Sequence, residues 1–272
     1  MTKVTRRNCL LTVCGAAVLL HMQGLAAPAS PPNAAAIMER NHLASRVQDS
    51  QAQTLFRLVG KNGKVREQMA TTMTRRNDAG GISRMARFVK PADVKGTAVL
   101  TVENPKGNDD IWVYLPALGN VRRLQANNKR DAYMGTDLSY GDVIGHAPGA
   151  WKHRVTGRQM RGGIECWVIE SVPGSGAVAA TSGYGKRINW IRTDNDMMVR
   201  AELYDTGGKL AKRITQDQIT RVSASPQRWQ AMRITVENTR TGHRTDVIIS
   251  GYQANKGLKP DLFLPRAMES AR

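Results

Sequence analysis

Cysteine is nearly absent. The 272 residues hold three, and Cys9 and Cys14 stand within the first thirty positions. Export with loss of that stretch leaves Cys166 alone, so no intramolecular disulfide forms and the fold must hold by its own core. Cys166 lies in the strand-like run Ile164-Glu165-Cys166-Trp167-Val168-Ile169, where a buried, inert thiol is expected. Phenylalanine is equally rare, at three residues, whereas ten of the twelve methionines follow the first thirty positions. Flexible thioethers suit a pocket that accepts variable chains, and they also serve as ordinary core filler. No apolar run reaches the roughly 20 residues of a membrane-spanning helix. Acidic residues are outnumbered, 22 Asp and Glu against 40 Lys and Arg, giving a formal net charge of +18.

What is present begins with a leader. Lys3, Arg6 and Arg7 precede the apolar stretch Cys9 to Leu20, and Gly24-Leu25-Ala26-Ala27-Pro28-Ala29 supplies small residues for cleavage after Ala26 or Ala29. This is the pattern of a secretory signal peptide. Thr5-Arg6-Arg7-Asn8-Cys9-Leu10 hints at a twin-arginine signal, but paired basic residues are common in ordinary leaders, so the general route is expected. Neither Cys9 nor Cys14 follows the small residue that a lipoprotein cleavage site requires. The expected organisation is a signal peptide over residues 1–29 and one domain over 30–272, exported to the periplasm. Without the leader's three cations the net charge is +15, scattered along the chain. Such a field speeds encounter with anionic partners, which in that compartment are lipid head groups, lipopolysaccharide or acidic polymers rather than nucleic acid. A surface of solvated charges explains the same composition.

Helix signals are few. Asn33 caps an N-terminal helix through Ala44, with Ala36, Ile37, Arg40 and Leu43 marking a moderately amphipathic face. Asp137 or Thr136 caps a short helix that Gly145 ends. The remainder alternates with period two between Gly, Asn and Asp turns, including the hairpin turns Lys61-Asn62-Gly63 and Asp205-Thr206-Gly207-Gly208. About a dozen strands follow, among them single runs from Met160 to Glu170 and from Lys209 to Thr215. Val199 and Leu203 share one side of their strand, Met232, Ile234 and Val236 one side of another, and Val247 and Ile249 one side of the last. One helix cannot cover so many apolar faces, so other loops or a ligand must. A barrel packed with its own side chains fits the same alternation.

Residues 110–144, DIWVYLPALGNVRRLQANNKRDAYMGTDLSYGDVI, are the most informative stretch. An aromatic strand ends in Tyr114-Leu115-Pro116, paired Arg122-Arg123 follows, and then Met134-Gly135-Thr136-Asp137-Leu138-Ser139-Tyr140. This order resembles the outer-membrane lipoprotein-sorting proteins, the LolA-like periplasmic carriers. Support recurs at Trp190, at Glu202-Leu203-Tyr204-Asp205, at Arg240-Thr241-Gly242-His243-Arg244-Thr245 and at Asp261-Leu262-Phe263-Leu264-Pro265-Arg266. Gly141 and Ala267-Met268 depart from the family's acidic and aromatic residues. The resemblance implies a mainly β fold with few helices (α+β). It further implies a strongly curved antiparallel sheet forming an incomplete half-barrel, covered by the N-terminal helix and short loop helices. It also implies a cavity for acyl chains of a lipid or lipoprotein. Strand parity and aromatic content add Trp112, Tyr114, Leu115, Met134, Leu138, Tyr140 and Trp190 to the apolar strand residues above as wall candidates. Arg122 and Arg123 are expected at a head group or an acidic partner. The implied partners are an inner-membrane permease of the RND or MmpL type and an outer-membrane acceptor, met by a monomer without a cofactor. Each sheltered methylene is worth about 0.8 kcal/mol, so a sixteen-carbon chain contributes roughly 12 kcal/mol. Transfer therefore needs direct contact under a mobile cover, for which Met134 to Ile144 and the N-terminal helix are the expected pieces.

Strings that suggest enzymes fail on spacing. Asp205-Thr206-Gly207 lacks a second aspartate in context to share a proton and reads as a turn. Gly174-Ser175-Gly176 follows a strand as a dinucleotide loop does, but Ser182-Gly183 cuts the required helix short. His42, His146, His153 and His243 show no metal-ligand spacing, and His146 and His153 are expected in solvated loops. Asp194-Asn195-Asp196 lacks the later Gly and Glu of a calcium loop, and no serine sits in a nucleophile elbow. Three classes remain: a lipid carrier without catalysis, a binding module for anionic envelope polymers, and an enzyme of a type these motifs do not mark.

Overall fold

The computed structural model describes residues 1–2, 32–125 and 129–269. The leader from residue 3 onward and both cleavage positions lie outside the described residues. The chain from Pro32 onward forms one compact unit.

The first helix, α1 (Ala34–Ala44), starts where the sequence places it, with the Asn33 side chain accepting from Ala36 N at 3.1 Å. A six-strand meander follows: β1 (Asp49–Val59), β2 (Val65–Arg76), β3 (Ile82–Lys90), β4 (Ala98–Val102), β5 (Asp110–Leu115) and β6 (Asn120–Leu124). A connection containing the short helix α2 (Tyr140–Ile144) then leads to a second meander. This comprises β7 (Trp151–Arg161), β8 (Ile164–Pro173), helix α3 (Gly176–Ser182), β9 (Tyr184–Arg192), β10 (Met198–Asp205), β11 (Leu210–Ala224), β12 (Gln227–Asn238) and β13 (Arg244–Ala254). The chain closes with a 3-10 turn at Pro260–Phe263 and the one-turn helix α4 (Arg266–Glu269).

All strands belong to one antiparallel sheet in the order β6-β5-β4-β3-β2-β1-β13-β12-β11-β10-β9-β8-β7. The two meanders join where β13 pairs with β1, for example Phe56 opposite Val247. The β6–β7 connection therefore has to pass from one edge of the sheet to the other, and it does so across one face.

The mainly β content with few helices matches expectation, but the strongly curved half-barrel does not. The sheet is open and not strongly curled, with β6 and β7 as separate free edges. The expectation assumed that so many apolar faces demand a concavity. Instead, separate elements cover the two faces. On one face lie α1 and the β6–β7 connection; on the other, Phe263 and Met268 of the C-terminal segment pack on Met85, Ala98 and Leu100. Strand β4, Ala98 to Thr101, is consequently buried throughout.

Three local expectations also change. The run from Met160 to Glu170 is not one strand: Gly162 and Gly163, at φ of 55° and 78°, turn the β7–β8 hairpin in a left-handed conformation that glycine adopts freely. Strand β11 continues nine residues past Thr215, to Ala224. Ser139, rather than Thr136 or Asp137, caps α2 in a reciprocal box with Asp142, 3.1 and 2.9 Å. The turns at Lys61-Asn62-Gly63 and at Asp205 are hairpins as expected, Asp205 Oδ1 accepting from Gly207 N and Lys209 N at 2.9 Å each.

Candidate functional site

A cavity of about 470 Å³ lies between the sheet and its cover. The cover is the C-terminal half of α1 together with residues 133–146, and the floor comes from β1 to β4 and β9 to β13.

Several bonds hold the cover. Arg40 pairs with Asp196 at 3.0 Å, Asn41 Nδ2 donates to the Asp196 carbonyl at 2.7 Å, and Arg46 pairs with Glu103 at 2.7 Å. Asp137 joins two motifs of the sequence: its carboxylate meets His243 Nδ1 at 2.6 Å and accepts from Thr245 Oγ1 at 2.8 Å. The Asp137 amide donates to Thr245 Oγ1 at 2.9 Å. Asp142 accepts from Tyr184 Oη at 3.0 Å and from Lys212 Nζ at 2.7 Å. Burial pushes the Asp142 carboxyl up, but His146, with Nε2 3.8 Å away, and the bonded Lys212 outweigh this and hold it far below the carboxylate range.

The lining is graded along the strands. Ser50, Thr74, Arg84 and Thr101 form one register row across β1 to β4. Two residues further on stand Ala52, Thr72, Ala86 and Val99, and beyond them the apolar cluster of Phe56, Phe88, Tyr133, Tyr140 and Val247. Rings link floor to cover there: Phe56–Phe88 at 5.9 Å, Phe56–Tyr133 at 6.1 Å and Tyr133–Tyr140 at 5.4 Å between centroids. Burial, then the neighbouring Tyr140, push the Tyr133 phenol up.

Of the wall candidates, Leu138, Ile234, Val247 and Ile249 line this cavity. Met134 and Tyr140 pack in the apolar cluster behind it, and Leu203 and Val236 in a second cluster with Trp151, Tyr184 and Ile214. The others lie elsewhere. Trp112 and Tyr114 face the C-terminal segment, because in β5 it is Ile111 and Val113 that point to the cover. Trp190 and Val199 pack with Cys166 and Val168 in a separate cluster. Leu115 is exposed at the end of β5, and Met232 is half-buried outside the apolar clusters. Aromatic content misled at Trp112, Tyr114 and Trp190, which lie on the opposite face of the sheet, whereas Val199 sits at a bulge of β10 against β9, where a one-residue shift exchanges faces.

Arg122 and Arg123 are exposed on the edge strand β6, away from the cavity. Arg123 pairs with Asp110 and lies over Trp112 at 5.8 Å. Charges there also discourage edge-to-edge pairing. His146 and His153 are not solvated. His153 bridges Ser171 Oγ at 2.8 Å and the Pro148 carbonyl at 3.0 Å. His146 sits between Trp151 and Tyr184, and burial, followed by Arg187, lowers its pKa. Cys166 is fully buried and burial raises its thiol pKa. Sequence reasoning missed Arg84 and Arg187 in the lining. The available signal was parity: Arg84 shares its strand face with Ile82, Ala86 and Phe88, and Arg187 with Asn189 and Ile191.

Among the described residues, no three His, Cys, Asp or Glu side chains are placed to hold a metal ion, and no helix is long and apolar enough to cross a membrane. A family model described as an uncharacterised protein matches residues 81–270. No curated protein matches the chain. Among solved structures, a domain named for outer-membrane lipoprotein sorting from Vibrio parahaemolyticus is 24% identical, with a TM-score of 0.80 over 87% of this chain and 98% of that one. A DUF1329 family protein from Desulfovibrio piger is 26% identical, TM-score 0.79, over 86% and 97%. A LolA superfamily protein from Nitrosomonas europaea is 19% identical, TM-score 0.66, over 87% and 100%. The chain shares its fold with these three structures.

Proposed function

The chain belongs to the uncharacterised family that matches residues 81–270, and from that premise we propose that it is a periplasmic carrier of acyl chains. It shelters a lipid or lipoprotein tail in the cavity beneath α1 and residues 133–146 and passes it between membrane partners without a catalytic step. The observation that carries this reading is the cavity itself, graded from a polar row to an apolar cluster and roofed by short elements rather than by sheet. The export leader and the fold shared with proteins named for lipoprotein sorting support the compartment and the cargo class.

Size bounds the load. About 470 Å³ lies within the range of small-molecule sites and holds roughly sixteen groups of water size, the equivalent of about one long acyl chain. Roughly 12 kcal/mol of methylene burial rules out release into water on a useful timescale. Loading and unloading therefore require the cover to swing away against a membrane or a permease, and an outer-membrane acceptor completes the path. Residues Leu138, Ile234, Val247 and Ile249 touch the tail.

Purification from the native envelope, followed by lipid extraction and mass spectrometry, tests the reading. A carrier yields close to one acyl chain per molecule. A lipid-free protein whose binding to acidic polymer collapses with added salt would identify the polymer-binding module instead.

A further inference from the structure

Half of the stranded polar atoms among the described residues belong to side chains that line the cavity. Ten buried side-chain nitrogen and oxygen atoms lack a hydrogen-bond partner among the described residues, and five of them belong to the lining: Arg84 Nη1, Thr101 Oγ1, His146 Nε2, Arg187 Nε and Asn189 Oδ1. Interiors leave few such atoms without water or a ligand, because each unsatisfied group destabilises the fold. Arg84 and Thr101 are neighbours in the register, directly opposite each other on β3 and β4 in the polar row.

The carboxylates near Arg84 are engaged elsewhere. Glu103 accepts from Arg46 Nη2 at 2.7 Å and from Ile82 N at 3.0 Å, and Asp109 accepts from Lys129 Nζ at 2.6 Å. Burial lowers the Arg84 guanidinium from 12.5 to about 10, with Glu103 offsetting only part of that. His42 brings no negative charge, and burial and Arg46 hold its pKa low. Arg84 is thus a cation facing a cavity with no counter-ion of its own. Arg187 stands seven strands away in the sheet order, within the field of Asp142, and has no part in this position.

We infer that Arg84 Nη1 and Thr101 Oγ1 form an anion-binding position at the polar end of the cavity, and that the ligand is a single-chain amphiphile with a carboxylate or phosphate head. The head lies on the Ser50-Thr74-Arg84-Thr101 row, and the tail runs along the strands toward Phe56, Phe88 and Tyr133. Two register rows separate Arg84 from Phe88, about 13 Å at the rise of an extended strand. A planar guanidinium suits either head group because its paired N–H donors match two oxygens.

This inference rests on the carrier reading and refines its cargo. The delipidated full chain is titrated with palmitate, hexadecyl phosphate, hexadecanol and inorganic phosphate. The two charged amphiphiles should bind about 10- to 100-fold more tightly than hexadecanol, the increment of a buried charge-assisted bond. In Arg84→Gln that ratio should fall to about threefold or less with hexadecanol affinity unchanged, while Tm rises by about 2–6 °C as an uncompensated charge is removed. Thr101→Val should lower the ratio without altering the charge. Equal affinity of palmitate and hexadecanol for the native protein overturns the inference, leaving the stranded atoms to buried water. Inorganic phosphate binding as tightly as hexadecyl phosphate also overturns it, since the site would then take a free anion. Absence of binding by every amphiphile sinks the carrier reading itself.

Discussion

Asp142 is a carboxylate that only its neighbours keep charged. Its side chain is 4% exposed, so burial alone favours protonation, and His146, with Nε2 at 3.8 Å, together with the bonded Lys212 reverses that preference. Its folded pKa lies below the unfolded value of about 3.9, so the stabilisation is complete above that value and disappears as the pH falls toward the folded pKa. Asp142→Asn leaves Lys212 buried without a counter-charge and should cost about 3–5 kcal/mol at pH 7. Urea unfolding at pH 7, 5 and 3 should show this difference shrinking on the acid side. His146 has the same sign for a different reason. It is held neutral by burial, so its contribution is present above about pH 6.5 and declines as the pH falls and the unfolded chain takes up a proton. Neither residue stood out in the sequence, where Asp142 was the end of a motif and His146 an ordinary loop residue.

The cover shows how far elements could be read in advance. The Met134-Gly135-Thr136-Asp137 segment and the Arg240 to Thr245 segment carried the family resemblance, and nothing in their spacing linked them. Asp137 bonds to both His243 and Thr245, which stitches the crossover to the start of β13. Thr245→Val removes the acceptor of the buried Asp137 amide and should cost about 1–3 kcal/mol in chemical denaturation. Asp137→Ala combined with Thr245→Val should cost less than the sum of the two changes, because both remove the same link. Caps and turns with local chemistry, at Asn33, Asn62-Gly63 and Asp205, could be located from sequence. The β7–β8 hairpin could not, because Gly162-Gly163 interrupts a run whose apolar residues continue on either side, and propensity does not show where a chain reverses. The Ser139 cap was displaced by two better-looking capping residues, and Asp137 proved to be occupied with β13.

The topology of the whole molecule makes the cover. Two meanders grow outward from the β1–β13 seam, so the single link between their far ends must run across a face, and its length of about 26 residues allows it to reach. That face becomes the cavity. Because the cover consists of a helix, a five-residue helix and turns, it should open at lower free energy than the strands beneath it. Amides of α1 and residues 133–146 should exchange faster than those of β1, β2 and β4, and lipid loading should slow the cover selectively. Equal protection throughout would count against a moving cover. The surplus of 40 basic over 22 acidic residues also predicts that capture of anionic vesicles slows as salt rises from about 0.05 to 0.5 M.

The leader pattern, the solitary buried thiol, the antiparallel strands with their hairpin turns and the likeness to lipoprotein-sorting proteins all follow from residue order, since each depends on neighbours close in the chain. Which face each strand turns inward did not. Alternation shows that a strand has two faces and not which one is covered, so Trp112, Tyr114 and Trp190 turned away from the cavity while Arg84, Thr101 and Asn189 turned toward it, and a bulge beside Val199 displaced that residue as well. Openness of the sheet was also a tertiary outcome, because covering both faces with separate elements removes the need for the sheet to curl on itself. The polar row has the same origin: Ser50, Thr74, Arg84 and Thr101 are far apart in sequence and come together only when four strands settle into register.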